Sequence, residues 1–135
     1  MKIKGIARDA LQFILEASRS SYPKEFAGML RANDNIISDV LLLPGTQSSE
    51  VSAVMRLYMM PMSVGSIGSV HSHPSSNITP SKEDLIMFGR TGDYHIIAGH
   101  PYTEQSWACY DAAGRKRHLP VLDISIKDDL GAWGD

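Results

Sequence analysis

The most informative part of the sequence reads Gly68-Ser69-Val70-His71-Ser72-His73-Pro74 and continues, after six further residues, as Ser81-Lys82-Glu83-Asp84. Its first part predicts a strand over residues 68–73. A polar loop over residues 74–80 follows, with a proline at each end. The second part opens a predicted helix over residues 81–90, which Gly92 ends.

Two histidines at alternate positions of this strand point to the same side, about 6.5 to 7 Å apart at their Cα atoms. The imidazoles of His71 and His73 can therefore converge on one zinc ion. The spacer to Asp84 is long enough for the chain to turn and bring a carboxylate back to them. Two nitrogens and one oxygen leave a fourth tetrahedral position open, as in catalytic zinc sites, where the pKa of bound water falls to about 7.

Each half of the pattern also has an ordinary structural interpretation. A pair of histidines two residues apart is common in cores and on surfaces. The spacing of Ser81 and Asp84 alone is typical of a helix capping box. The combination is more specific than its parts, but two histidines and one carboxylate can also hold non-haem iron, so a different metal chemistry stays open.

The whole pattern, H-x-H-P, six residues and then S-x-x-D with a glutamate upstream, resembles the JAMM metalloproteases, also called MPN-plus domains, in their stand-alone prokaryotic form. The resemblance covers roughly residues 1–120 and includes Tyr94-His95-Ile96-Ile97, which is similar to the family strand after the second helix. It implies an MPN-type, cytidine-deaminase-like fold that holds one zinc ion.

The resemblance also implies a role for each of five residues. His71, His73 and Asp84 match the zinc ligands of the family. Ser81 matches the serine whose hydroxyl stabilises the developing oxyanion, and Glu25 matches the glutamate that acts on the zinc-bound water. Spacing alone does not select Glu25 from the other acidic residues; without the resemblance it reads as an exposed charge at a helix–strand junction.

The activity that the resemblance implies is that of a zinc-dependent isopeptidase, similar to a deubiquitinase. The substrate would be a ubiquitin-like or sulfur-carrier protein joined to a lysine through its C-terminal tail, which can add as a strand beside a sheet edge. Met59-Met60-Pro61-Met62 and residues 65–68 are candidate walls of that groove, or equally methionine-rich core filling. Two other functions stay open: a non-catalytic MPN-type scaffold, against which the complete set of five residues argues, and a DNA-repair-associated relative.

Outside the decisive stretch, periodicity predicts a first helix and further strands. Residues 7–21 form an amphipathic pattern in which Ala10, Phe13, Ile14 and Ala17 share one face. The order helix, strands, helix, strands predicts an α/β (α+β) sandwich, in which two helices pack a mixed, mostly antiparallel sheet. The other predicted strands are 26–31, 36–43, 51–59, 94–100, 106–111 and 116–122, with turns at 32–35 and 113–114.

Composition sets the remaining expectations. The 135 residues suit one catalytic domain, over residues 1–122, with a tail over 123–135, as a monomer or weak homodimer. The net charge of −2 argues against a nucleic-acid partner, and no apolar stretch is long enough to span a membrane. The single cysteine, Cys109, is expected in the core of a cytoplasmic protein. Three histidines outside the pattern are expected to be structural or at the surface: His95, His100 and His118.

Overall fold

The structure is a computed structural model that describes residues 2–42 and 66–124. Over these ranges the chain forms two helices, α1 (Arg8–Ser21) and α2 (Lys82–Thr91). Three sequence-predicted features lie outside the described residues: the strand over 51–59, the methionine-rich groove wall and the end of the tail. The strands are β1 (Gly5–Ala7), β2 (Ala27–Asn33), β3 (Ile36–Leu42), β4 (Ser66–His73), β5 (Tyr94–Gly99), β6 (Trp107–Tyr110), β7 (Lys116–Arg117) and β8 (Val121–Leu122).

All the described strands join one sheet in the order β7-β6-β5-β4-β2-β3-β1-β8. The pairs β2–β3, β2–β4, β5–β6 and β6–β7 are antiparallel. The pair β4–β5 is parallel, as are the two pairs that β1 makes with β3 and β8. This mixed, largely antiparallel sheet with its two helices confirms the predicted fold class.

The two helices pack on opposite faces of the sheet. Leu11 and Ile14 of α1 belong to a buried cluster with Ile96 of β5. Phe88 of α2 belongs to a second cluster with Ile97 of the same strand. Because successive strand residues point to opposite faces, one strand supplies both clusters, and the fold has three layers.

The hairpin between β2 and β3 confirms the predicted turn. Its two central residues, Asp34 and Asn35, have φ angles of 53° and 64°. Positive φ at both positions is typical of a type I′ turn, whose twist matches that of the flanking strands, and Asp and Asn tolerate this backbone conformation.

The buried face of α1 differs from the one predicted. Phe13 is 44% exposed, and Ala17 is only partly buried. Phe13 lies two positions from both Leu11 and Leu15, which places it on the opposite side of a helix with 3.6 residues per turn. The fully buried positions are Ala10, Leu11, Ile14, Leu15 and Ser18.

The prediction of one strand over residues 116–122 was wrong. Lys116–Arg117 and Val121–Leu122 are separate short strands at opposite edges of the sheet. Pro120 has no N–H group to donate to a ladder, and the chain leaves one edge before it and joins the other after it. β1 was not predicted either, because three residues are too few for a periodic pattern. The other elements predicted within residues 2–42 and 66–124 agree with the structure to within a residue or two.

One smaller expectation is confirmed. Cys109 is buried, with 2% of its surface exposed, and belongs to the α1-side cluster. Neither of the two described helices is long and apolar enough to cross a membrane.

Candidate metal centre

The end of β4 presents two imidazoles to the face that α2 covers. His71 and His73 are both buried, and their Nε2 atoms lie 3.2 Å apart. Each side chain is fixed by its place in the middle of the sheet, since β4 pairs with β2 on one side and β5 on the other. The strand that the sequence predicted therefore orients both rings toward one point.

The first turn of α2 brings Asp84 to the same point. Its Oδ1 lies 3.0 Å from Nε2 of His71, and its Oδ2 lies 3.4 Å from Nε2 of His73. Asp84 also completes a capping box: its backbone N–H donates to Oγ of Ser81, and its Oδ2 accepts the backbone N–H of Ser81. The capping and metal-binding interpretations of this spacing are thus compatible, because the cap fixes the rotamer that turns Oδ1 toward His71.

Glu25 reaches the site from the chain just before β2. Phe26, its neighbour, donates its backbone N–H to Oγ of Ser72 and accepts the backbone N–H of Ser72, both at 2.9 Å. Ser72 lies between the two histidines in the strand, so this pair of hydrogen bonds fixes Glu25 beside them. Glu25 is 6% exposed, and one donor atom from each of Glu25, His71 and His73 lies within 4.8 Å of the others.

A cleft of about 410 Å³ opens over this centre. Gly99 allows one wall of it to form, because a Cβ there would lie 2.6 Å from Cγ2 of Ile78 and 3.0 Å from the carbonyl oxygen of Ser75. His71 and Asp84 are fully buried and do not line the cleft. The lining residues are Glu25, His73, Pro74, Ser75, Asn77, Thr79, Pro80 and Ser81. Three of the sequence-predicted site residues thus share one opening.

The site keeps Asp84 ionised. Burial by itself raises the pKa of this carboxyl, but hydrogen bonds from His71 and His73, together with the backbone N–H of Ser81, outweigh burial and hold the pKa well below its usual range. Asp84 is therefore a carboxylate at neutral pH, as a metal ligand must be.

The donor set fits one zinc ion. Zinc–nitrogen and zinc–oxygen bonds of about 2.0 to 2.2 Å at a tetrahedral angle place neighbouring donor atoms about 3.3 to 3.5 Å apart. The two Nε2 atoms lie 3.2 Å apart, and the carboxylate of Asp84 approaches one of them at 3.0 Å through Oδ1 and the other at 3.4 Å through Oδ2. Within the described part of the chain, the buried Nδ1 of His71 has no hydrogen-bond partner, and the buried Oδ1 of Asp84 has none besides its 3.0 Å contact with Nε2 of His71, so a cation would satisfy this oxygen.

One contact that orients a candidate ligand was not predicted from the sequence. Nδ1 of His73 lies 2.7 Å from the backbone carbonyl of Asn77, which can only accept a hydrogen bond. Nδ1 therefore carries a proton, and when a metal is bound Nε2 gives up its contact with Asp84 and offers its lone pair to the metal. Every residue has a backbone carbonyl, so no residue type in the sequence marks this partner. The sequence indicates only the polar loop in which it lies.

The histidines outside the pattern are structural or exposed, as expected. His100 and His118 are exposed, whereas His95 is fully buried beneath α2. The His95 ring stacks on Phe88, its Nε2 lies 2.8 Å from the carbonyl of Gly92, and its Nδ1 lies 2.7 Å from Oγ of Ser69. Since the carbonyl can only accept, Nε2 holds the proton and Nδ1 accepts from Ser69.

Acid is expected to weaken the fold through His95. Burial lowers the pKa of His95 from 6.5 to about 4, despite the opposing bond to Gly92. Between these two values the unfolded chain binds the proton and the folded chain does not. The free energy of unfolding is therefore highest above pH 6.5 and decreases by roughly 3 kcal/mol as the pH falls to 4. Urea unfolding of metal-free protein at several pH values measures this loss.

The variant His95→Gln should show a smaller loss over the same pH range, because it has no proton to take up. Exposed His118 offers the control, since His118→Gln should follow the wild-type pH dependence. Equal slopes for wild type and His95→Gln would show that another group causes the loss.

Comparison with known proteins gives concordant likenesses. Residues 7–110 match the family described as prokaryotic homologs of the JAB domain. The chain is 40% identical, over 94% of its length and 84% of the relative's, to a "probable metalloprotease" of Haloferax volcanii. A structure titled "JAMM: A Metalloprotease-like Zinc Site in the Proteasome and Signalosome" aligns with a TM-score of 0.72 and 36% identity, over 90% of this chain and 99% of that one. A JAB1/MPN domain protein from Archaeoglobus fulgidus aligns with a TM-score of 0.71 and 38% identity, over the same shares.

Proposed function

Because the chain belongs to the family of prokaryotic JAB-domain homologues, the JAMM metalloproteases with one zinc ion, we propose that it is an isopeptidase. One observation carries the proposal: two imidazoles and a carboxylate converge beside a second buried carboxylate, at a cleft that a serine also lines. His71, His73 and Asp84 would hold the zinc. Glu25 and Ser81 would act on the substrate.

Zinc, when bound, polarises the scissile carbonyl and lowers the pKa of water toward neutrality. Glu25 accepts the proton of the attacking water as the new bond to the carbonyl carbon forms, and it then donates that proton to the amine nitrogen as the carbon–nitrogen bond breaks. The Ser81 hydroxyl donates a hydrogen bond to the oxyanion that develops between these steps. A hydroxyl that accepts from the N–H of Asp84 still carries a hydrogen that it can donate.

The proposed substrate is a ubiquitin-like or sulfur-carrier protein linked through its C-terminal tail to a lysine side chain. A cleft of about 410 Å³ is of the size that receives small molecules, so it suits a few residues of an extended tail and not a folded domain. Its wall is mostly a polar loop, which offers backbone groups to an extended peptide.

A direct test uses two synthetic conjugates of one ubiquitin-like protein. In the first its C-terminal glycine is joined to the ε-amine of lysine, and in the second to an α-amine. The zinc-loaded protein is expected to cleave the first faster, and Glu25→Gln is expected to leave both intact. If zinc-loaded protein cleaves neither conjugate nor an unfolded peptide, the proposal is wrong and the non-catalytic scaffold is favoured.

Replacing Ser81 with glycine is expected to lower kcat by about 10² to 10³, the usual effect of losing one oxyanion donor. Glycine serves almost as well as serine at an N-cap, so α2 keeps its stability. Ser81→Thr keeps a hydroxyl and should retain most activity. Zinc affinity, measured beside kcat, should not change in either variant; a kcat of wild-type size in Ser81→Gly would remove this residue from the mechanism.

A further inference from the structure

Tyr102 reaches the metal centre from the loop after β5. Its side chain is buried, with 1% of the residue exposed, and its hydroxyl donates a 2.9 Å hydrogen bond to the backbone carbonyl of His73. His73 is the last residue of β4, and Pro74 follows it. The strand ends at this point. The backbone carbonyl of this candidate metal ligand is held by a tyrosine from another part of the chain.

The backbone of Tyr102 is held in an unfavourable conformation. Its φ is 63°, in the left-handed region that bulky residues rarely adopt. Two contacts hold it there: its N–H donates to the carbonyl of Gly99 at 2.8 Å, and its own carbonyl accepts from Nη2 of Arg19 at 2.7 Å. Strained residues that the surroundings fix in this way cluster at functional sites.

His73 is thereby fixed at two points. The Asn77 carbonyl holds the ring through Nδ1, and Tyr102 holds the backbone from which the ring extends. The Tyr102 ring also packs against Tyr22, at 6.1 Å between centroids, and Tyr22 lies three residues before Glu25. One buried side chain thus connects the ligand strand with the segment that carries the proposed proton acceptor.

We propose that Tyr102 is a positioning residue, whose hydroxyl fixes the backbone of His73 so that its Nε2 meets the same ion as His71 and Asp84. The inference rests on the proposed function for the identity of that ion, zinc. Tyr102 does not line the cleft and takes no part in proton transfer. Its effect on the reaction passes through His73.

The test compares Tyr102→Phe with Tyr94→Phe. Both changes remove one hydroxyl from a buried tyrosine, but the Tyr94 hydroxyl contacts Ile3 and Arg117, far along the chain from the ligands. Zinc affinity is measured by competition with a chromophoric chelator, and the visible absorption of the cobalt-substituted protein reports ligand geometry. Tyr102→Phe is expected to lose about 10- to 100-fold in zinc affinity and to shift the cobalt bands, with kcat lowered more than KM is raised. Tyr94→Phe should match wild type in all three.

A second pair of variants covers the case in which Tyr102→Phe does not fold. Arg19→Gln, on the half-exposed end of α1, removes the donor to the Tyr102 carbonyl, and Glu16→Gln removes only the ion-pair partner of Arg19. Arg19→Gln should weaken zinc binding in the same direction, and Glu16→Gln should not.

The inference is overturned if Tyr102→Phe, or Arg19→Gln in its place, binds zinc and cobalt as wild type does, or if Tyr94→Phe loses as much affinity. Failure of the proposed function has a different signature: wild type takes up zinc but cleaves no conjugate. The affinities and cobalt spectra still decide the role of Tyr102 in that case.

Discussion

Replacing Asp84 with asparagine is expected to abolish zinc binding and hydrolysis together. The amide has nearly the same shape and can still accept the N–H of Ser81, so the cap on α2 survives. The amide lacks the negative charge with which Asp84 would offset the positive charge of the cation. An amide is also a poor ligand for zinc. The affinity should fall by more than the roughly 100-fold that loss of an outer-shell partner causes.

Zinc content after dialysis and hydrolysis of the lysine-linked conjugate measure this effect. Glu83 provides the matched control, because it is an exposed acidic residue in the same first turn of α2. Glu83→Gln removes the same charge from the same helix end and should leave both readouts unchanged. A zinc-loaded Asp84→Asn protein would show that another carboxylate is the third ligand.

Replacing Glu25 with glutamine is expected to have the second large effect, a loss of roughly two to four orders of magnitude in kcat with zinc retained. Glutamine fills the same space but cannot accept the proton of the attacking water. The prediction also decides between two carboxylates, since Glu25 forms a possible ligand cluster with His71 and His73. Asp84 is favoured as the ligand because its oxygens lie 3.0 and 3.4 Å from the two Nε2 atoms.

Metal content, measured on the same preparation as kcat, separates the two roles. Glu16, an exposed glutamate of α1, is the control, and Glu16→Gln should behave as wild type. If Glu25→Gln loses its zinc, Glu25 is a ligand. If it keeps both zinc and near-normal turnover, the proton acceptor lies elsewhere.

The sequence predicted the centre of this fold better than its edges. The stretch from β4 to α2 combines a strand pattern, a proline at each end of a loop and a capping box, so local preferences and tertiary structure agree there. At the edges, strands of two or three residues carry no periodicity, and tertiary pairing alone decides that Val121 and Leu122 lie beside β1. Phe13 was wrongly predicted to be buried. The four apolar residues of the predicted face share one side of the helix nearly as well as the residues that pack against the sheet.

Some residues of the candidate site could be predicted from the sequence and others could not. The two histidines and Asp84 follow from spacing and donor chemistry, since strand and helix geometry limit where such side chains point. Glu25 required the family resemblance, because only the pairing of Phe26 with Ser72 across distant parts of the chain brings it to the histidines. The carbonyl of Asn77 and the hydroxyl of Tyr102 were not predicted, since their roles depend on three-dimensional contact alone.

The proposed metal ligands and the proposed proton acceptor come from two separate segments of the chain, which has a consequence for how activity can be lost. Every proposed metal donor lies within residues 71–84, whereas the proposed proton acceptor, Glu25, comes from the segment just before β2. On the proposed roles, a single codon change at position 25 would leave an intact, metal-loaded domain with very little turnover. Metal content by itself is therefore a poor guide to whether a protein with this arrangement of residues is an enzyme.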